Sequence, residues 1–166
     1  MTEKEIVIDM RALIDDLKEK LNSNKRVILK GQGVSMFPFI TENDTLILNK
    51  PPRKVKTGEI YLYRRLSGSY AIHRVYAVRK DYVLMLGDAQ LFIEKVQKDC
   101  LFAMVSTVEK PNKSVNCNSF SVRLGCVFRM KKKIYKVKFK AEIRQIYIKI
   151  LGFLSKIKRL IIRKDK

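Results

Sequence analysis

The sequence predicts a mainly β fold: a coiled, barrel-like sheet, preceded by an N-terminal helix and followed by a basic amphipathic helix. Short apolar runs separated by turn residues fill residues 26–110, and the alternation of apolar and polar residues within them predicts strands. At both ends of the chain the apolar residues instead recur every three or four positions, which is helical spacing. The chain has 166 residues, 46% of them hydrophobic, which is enough for the core of one such domain.

Residues 1–25 are predicted to form an N-terminal amphipathic helix. Its apolar residues lie on one face and end before the polar stretch that begins at Asn22. They are Ile6, Met10, Leu13, Ile14, Leu17 and Leu21. The first residues lack a basic start that leads into an apolar run, so no secretory signal peptide is expected.

Residues 26–110 are predicted to form the β domain. The predicted strands are Arg26–Lys30, Thr45–Leu48, Glu59–Arg64, Tyr70–Arg79, Tyr82–Leu86 and Leu101–Val108. Gly and Ser after Leu66 indicate a hairpin, and two prolines at 51–52 end the second strand because proline cannot donate to a ladder. Residues 111–128 are rich in Ser and Asn and are interpreted as a polar connection.

Residues 129–166 are predicted to form a basic amphipathic helix with a net charge of +13, out of +20 for the whole chain. Its apolar residues are Ile143, Ile146, Tyr147, Ile150, Leu151, Leu154, Ile157, Leu160 and Ile161. This pattern favours an anionic membrane surface as the partner. Packing of the helix on its own domain is the second interpretation, and nucleic-acid binding is the least favoured, because nine large apolar residues do not serve phosphate contacts.

Charge and cysteine content narrow the class of protein. No uncharged run exceeds the 11 residues of 31–41, so no transmembrane span is expected and the chain should be cytoplasmic or peripheral to a membrane. The three cysteines contain no CxxC pair, and a zinc site would require the single histidine to join all three. No metal and no cofactor is therefore expected, and oligomeric state is left open.

One serine has an unusual setting. Ser35 follows two glycines, which permit a tight turn, and precedes Pro38. A serine nucleophile needs a nearby base, and His73 is the only imidazole that could serve. Asp88 follows Gly87 and could orient that imidazole. From these residues alone, a turn serine, a core histidine and a turn aspartate remain open. Glu94 and Asp99 are reserve carboxylates.

Several short motifs follow one another in a recognisable order. They are Ser35-Met36-x-Pro38, Asp44 before an apolar run, Gly58 before Glu-Ile-Tyr-Leu-Tyr, His73-Arg74-Val75 and Gly87-Asp88. Across residues 27–110 this order resembles signal peptidase I, in the S24–S26 serine peptidase clan that also contains self-cleaving repressors. Many members pair serine with lysine. A histidine at that position resembles the archaeal and endoplasmic-reticulum type.

The resemblance implies a serine endopeptidase that cleaves secreted or leader-bearing polypeptides. It implies Ser35 as nucleophile, His73 as general base and Asp88 as the third catalytic residue. Side chains next to the nucleophile would line the substrate pockets, here Met36, Phe37 and Phe39. An alternative hypothesis is a catalytically silent binding module that acts through its basic helix. Gly33 and Ala89 motivate it, because family members often carry Ser and Asn there. Self-cleavage ranks below both.

Overall fold

A computed structural model describes residues 10–23 and 26–164, with side chains described for 16–23 and 26–151. It contains two α-helices, a short 3₁₀ turn at Lys98–Cys100 and eight strands within those residues. In chain order they are α1 (Met10–Asn22), β1 (Val27–Lys30), β2 (Thr45–Asn49), β3 (Ile60–Arg64), β4 (Tyr70–Val78), β5 (Tyr82–Leu86), β6 (Glu94–Gln97), β7 (Leu101–Lys110), β8 (Lys113–Asn116) and α2 (Phe120–Lys164).

The strands form one antiparallel sheet in the order β1-β2-β7-β3-β4-β5-β6. In addition, β8 pairs with the C-terminal end of β7, from Thr107 to Lys110. The sheet curls into a half-barrel, so the predicted mainly β, barrel-like fold with a helix at each end is confirmed. Strand β7 lies between β2 and β3, although it follows them in the chain by more than 35 residues.

Each face of the sheet carries its own core, because successive side chains of a strand point to opposite faces. The first core contains Leu17, Leu21, Val27, Met36, Ile40, Leu46, Leu48, Ile60, Leu62, Ala103, Val105, Val108 and Cys117. The second core contains Tyr61, Tyr63, Val75, Val83, Met85, Val96, Leu101 and Met104. Strand β3 therefore alternates between the two cores and is buried on both faces.

Helix α1 buries Leu17 and Leu21 in the first core, as the apolar spacing of the N-terminal segment predicts. Ile6 lies outside the described residues, and so do the side chains of Met10, Leu13 and Ile14.

Two of the eight strands were not predicted, and the segment 111–128 is more ordered than its composition indicates. It holds β8 and the first residues of α2, which begins at Phe120. Strand β8 has no buried residue, so its sequence lacks the apolar alternation that identifies a strand. It forms because a two-residue turn folds it back on β7.

The chain divides into two compact units, Met1–Phe128 and Arg129–Lys166, and α2 runs through both. The second unit is the basic helical segment. No helix within the described part of the chain is long and apolar enough to cross a membrane.

Candidate active site

Ser35 lies in the loop between β1 and β2, whose two ends are tied together. The Gly31 N–H donates to the Asp44 carbonyl at 2.9 Å. The buried Asp44 carboxylate accepts the Thr41 N–H at 2.8 Å and the Lys110 ammonium at 2.7 Å. Burial acts to raise the pKa of Asp44, but these hydrogen bonds and the Lys110 charge hold it below its ordinary value. Asp44 thus serves as an internal clamp on the loop.

The turn after β5 contacts the backbone of Ser35. The Ala89 N–H donates to the Ser35 carbonyl at 2.8 Å. Gly87 lies so close that a Cβ there would be 2.7 Å from the same carbonyl oxygen, so the close approach requires glycine. No backbone hydrogen bond among the described residues uses the Ser35 N–H as donor. Ser35 itself is partly exposed.

His73 is buried in β4, with 1% of its surface exposed, on the side of the sheet that carries the second core. Its Nδ1 is 2.8 Å from the Tyr63 hydroxyl and 3.4 Å from Glu94 Oε1. Its Nε2 is buried and has no hydrogen-bond partner among the described residues. Burial lowers the pKa of His73, and the nearby Glu94 charge offsets part of that effect. The ring is therefore a neutral base with one nitrogen unused.

Glu94 begins β6 and is held by Arg65. The guanidinium donates to both carboxylate oxygens, at 2.8 and 2.9 Å. Burial acts to raise the pKa of Glu94, but the hydrogen bonds from Arg65 and Tyr63 keep it below its ordinary value, so the carboxylate is ionised at neutral pH. Burial raises the pKa of Tyr63, and the Glu94 charge raises it further, so the phenol keeps its proton.

Asp88 faces a different partner. Its carboxylate accepts two hydrogen bonds from the fully buried Arg74, at 3.0 and 2.8 Å. Arg74 also donates to the Gly58 carbonyl at 2.9 Å, and its guanidinium lies 4.4 Å from the centre of the Phe39 ring. Because His73 and Arg74 are consecutive in β4, their side chains leave opposite faces of the sheet. Both oxygens of Asp88 are thus engaged on the Arg74 side.

No hydrogen bond joins the side chains of Ser35 and His73 among the described residues. Ser35 is bonded to the turn after β5, which follows Leu86, the residue that pairs with Arg74 in β4. The catalytic roles of Ser35, His73 and Asp88 stay predictions. The sequence analysis included Tyr63 in a family-like motif without assigning it a role, and it ranked Glu94 only as a reserve because no motif surrounds Glu94.

A family model described as Peptidase S24-like matches residues 3–99, more than half of the chain. The chain belongs to the Peptidase S24-like family. No curated protein and no solved structure matches it. The family match covers Ser35, His73 and Asp88, as well as Glu94. It supports a serine peptidase-like domain in the S24/S26 clan and suggests a protein or peptide substrate.

The three predicted substrate-binding side chains of this S24-like chain have different environments. Met36 is buried in the first core, and Phe39 is partly buried against Arg74. Phe37 is 56% exposed and is the one that offers an open apolar surface next to Ser35. Their part in substrate binding stays a prediction.

Proposed function

We propose that this chain is a serine endopeptidase of the histidine-using type that cleaves secreted or leader-bearing polypeptides. The observation that carries the proposal is the state of its only imidazole. His73 is buried and neutral, its Nδ1 faces an ionised carboxylate, and its Nε2 has no partner among the described residues. A histidine that served only the core would satisfy both ring nitrogens, because an unpaired buried nitrogen costs about 1–3 kcal/mol.

In the proposed reaction Ser35 Oγ attacks the carbonyl carbon of the substrate peptide bond and gives its proton to His73 Nε2. The resulting imidazolium returns that proton to the leaving amine as the C–N bond breaks, which leaves an acyl group on Ser35. A water molecule then attacks the ester, again with His73 as base, and releases the carboxylate product. The negative charge of Glu94 stabilises the transient imidazolium.

The backbone N–H of Ser35 is the candidate oxyanion donor, because no backbone hydrogen bond of the described residues employs it. Gly33 stands where family members often have a serine that supports this charge. Its φ of +73° is a conformation that side-chain-bearing residues rarely adopt, so a serine there would be strained. Loss of one oxyanion donor costs about 10²–10³ in turnover, so a slow enzyme is expected.

To test the proposal, the purified protein is incubated with a peptide library derived from a bacterial proteome. The purified wild-type chain should generate new peptide termini, read by mass spectrometry, that share small residues before the cut. These termini should be absent with Ser35→Ala and with His73→Ala, and they should persist with Ser67→Ala, an exposed hairpin serine that serves as the matched control.

The silent binding module is the alternative outcome of the same experiment. Identical peptide profiles for wild type, Ser35→Ala and His73→Ala would contradict the peptidase. The intact mass of each protein, followed over the same incubation, separates cleavage of added peptide from self-cleavage, which would shorten the wild type and spare Ser35→Ala.

We also propose that the basic helical segment holds the chain on an anionic membrane surface. The apolar residues Ile143, Ile146, Tyr147 and Ile150 recur at spacings of three and four and are all at least half exposed. The segment from residue 129 onward carries +13, and each basic residue near an anionic bilayer contributes about 1 kcal/mol. Apolar and basic residues on one helix suit insertion at the headgroup level.

Sedimentation with lipid vesicles tests this surface. The full chain should bind vesicles that contain phosphatidylglycerol, bind neutral phosphatidylcholine vesicles weakly, and lose affinity as salt rises. Ile146→Glu with Ile150→Glu should reduce binding by at least about tenfold. Gln145→Glu with Lys149→Gln makes the same charge change on the polar face and should reduce binding less. Equal losses, or preferential binding to duplex DNA, would contradict the membrane proposal.

A further inference from the structure

We infer that Glu94, acting with Tyr63, is the positioning residue for His73 and that Asp88 is not. Asp88 is the carboxylate that the motif order points to, whereas the geometry selects a residue from β6. The catalytic consequence of this inference rests on the proposed function. The state of the imidazole itself does not, so the two can be tested separately.

The distances assign the protons of the cluster. The Glu94 carboxylate is ionised and can only accept hydrogen bonds. Oε1 lies 3.4 Å from His73 Nδ1, and the Tyr63 hydroxyl lies 2.8 Å from the same nitrogen. The Tyr63 phenol donates its one proton to the Glu94 carboxylate, because the anion is a stronger acceptor than the imidazole nitrogen. The hydroxyl oxygen of Tyr63 is then left to accept a hydrogen bond from the Nδ1–H of His73.

This arrangement places the ring proton on Nδ1 and the lone pair on Nε2. Nε2 is the nitrogen without a partner among the described residues, and a lone pair there is what a general base for Ser35 requires. The opposite tautomer would leave a buried N–H without an acceptor and would point a lone pair of Nδ1 at a negative charge. Glu94 therefore sets both the tautomer and the orientation of the ring.

Arg65 completes the cluster by fixing Glu94. Its two hydrogen bonds hold both carboxylate oxygens, so Oε1 cannot rotate away from the imidazole without breaking them. The charged groups that act on His73 are Glu94 and Asp88, which raise the pKa of its imidazole, and Arg65, which lowers it; burial, the largest effect, also lowers it. The Glu94 influence exceeds that of Asp88, consistent with the pairing of Asp88 to Arg74.

The chain offers a direct readout, because it contains a single histidine. In protein labelled with ¹⁵N-histidine, one imidazole reports its two nitrogens separately. At pH 7.5 the wild type should show a protonated Nδ1 and a bare Nε2. Glu94→Gln should shift the population towards a protonated Nε2 and lower the imidazole pKa, because the neighbouring negative charge is lost. Asp88→Asn is the matched control and should keep the wild-type tautomer.

Arg65→Met should shift the pKa of His73 in the direction opposite to Glu94→Gln. Removal of its positive charge should raise the pKa of His73, whereas Glu94→Gln should lower it. A wild type with Nε2 protonated would overturn the inference. So would a tautomer that changes in Asp88→Asn and not in Glu94→Gln, or two pKa shifts in the same direction. These readouts need no substrate, so they hold or fail independently of peptidase activity.

Where a cleaved peptide is found, Glu94→Gln should reduce kcat by about 10²-fold or more with little change in KM, because only the base is affected. The acid limb of its pH–rate profile should move to lower pH, following the imidazole pKa. Wild-type kcat in Glu94→Gln, together with the expected change of tautomer, would contradict the catalytic consequence alone.

Discussion

Arg74→Met is expected to destabilise the protein by about 3–5 kcal/mol, the usual cost of removing one partner from a buried ion pair. Arg74 is fully buried and donates three hydrogen bonds: two to Asp88 and one to the Gly58 carbonyl. Methionine fills much of the same volume but donates nothing. It would remove two hydrogen bonds and a positive charge from the largely buried Asp88 carboxylate and one hydrogen bond from the Gly58 carbonyl.

Urea unfolding at pH 7 measures this effect. Arg79→Met is the matched control, because Arg79 is an exposed arginine that bonds only the carbonyl of the neighbouring residue, and it should change stability by no more than about 0.5 kcal/mol. Addition of Asp88→Leu to Arg74→Met should restore part of the loss, because a negative charge is no longer kept largely buried without the guanidinium. Equal stabilities of Arg74→Met and Arg79→Met would show that the pair contributes little.

Alternation along β4 explains how much of the site could be predicted. The sequence places His73 on the same face as Ala71 and Val75, and in the structure these two residues do belong to or pack against the second core. The same alternation sends Arg74 to the other face. Two consecutive residues thus build two separate polar clusters, one on each side of a single strand, and a strict period of two makes that division readable without a structure.

The partners of those clusters could not be predicted, because they depend on register. Tyr63 reaches His73 because Tyr61 is the residue directly opposite His73 in the β3–β4 ladder, so Tyr63 lies one diagonal step away on the same face. Glu94 belongs to β6, a four-residue strand with only one buried residue. Its sequence therefore lacks the apolar alternation from which a strand is predicted. The Gly87-Asp88 motif led the prediction to Asp88, whose carboxylate pairs with Arg74 in the structure.

The turn after β5 connects the Arg74 cluster to Ser35. Asp88 is held by Arg74, and the next residue, Ala89, donates its N–H to the Ser35 carbonyl. Gly87 lies between β5 and Asp88 and is in close contact with the Ser35 carbonyl. Under the proposed function, Asp88 thus fixes the turn that supports Ser35, while Glu94 positions His73.

Gly87→Ala is therefore expected to lower kcat/KM for a cleaved peptide by about 10²-fold, the effect of moving a reacting group by about 1 Å. The new methyl would lie 2.7 Å from the Ser35 carbonyl oxygen and 2.8 Å from the Gln90 side-chain amide oxygen. The amide can rotate, but the backbone carbonyl cannot give way unless the loop moves. The Ala89–Ser35 hydrogen bond should break with it, so the Ala89 amide should exchange with solvent faster.

Gly68→Ala separates this displacement from a general loss of stability. Gly68 has a φ of +86° with nothing near its Cβ position, so alanine there costs about 1 kcal/mol of backbone strain without touching the Ser35 loop. Its Ala89 amide should stay protected and its kcat/KM should remain near the wild-type value. If Gly87→Ala kept both the protected amide and the wild-type rate, Ser35 would not depend on this turn for its position. That result would contradict the idea that Arg74 and Asp88 position Ser35 through the turn after β5.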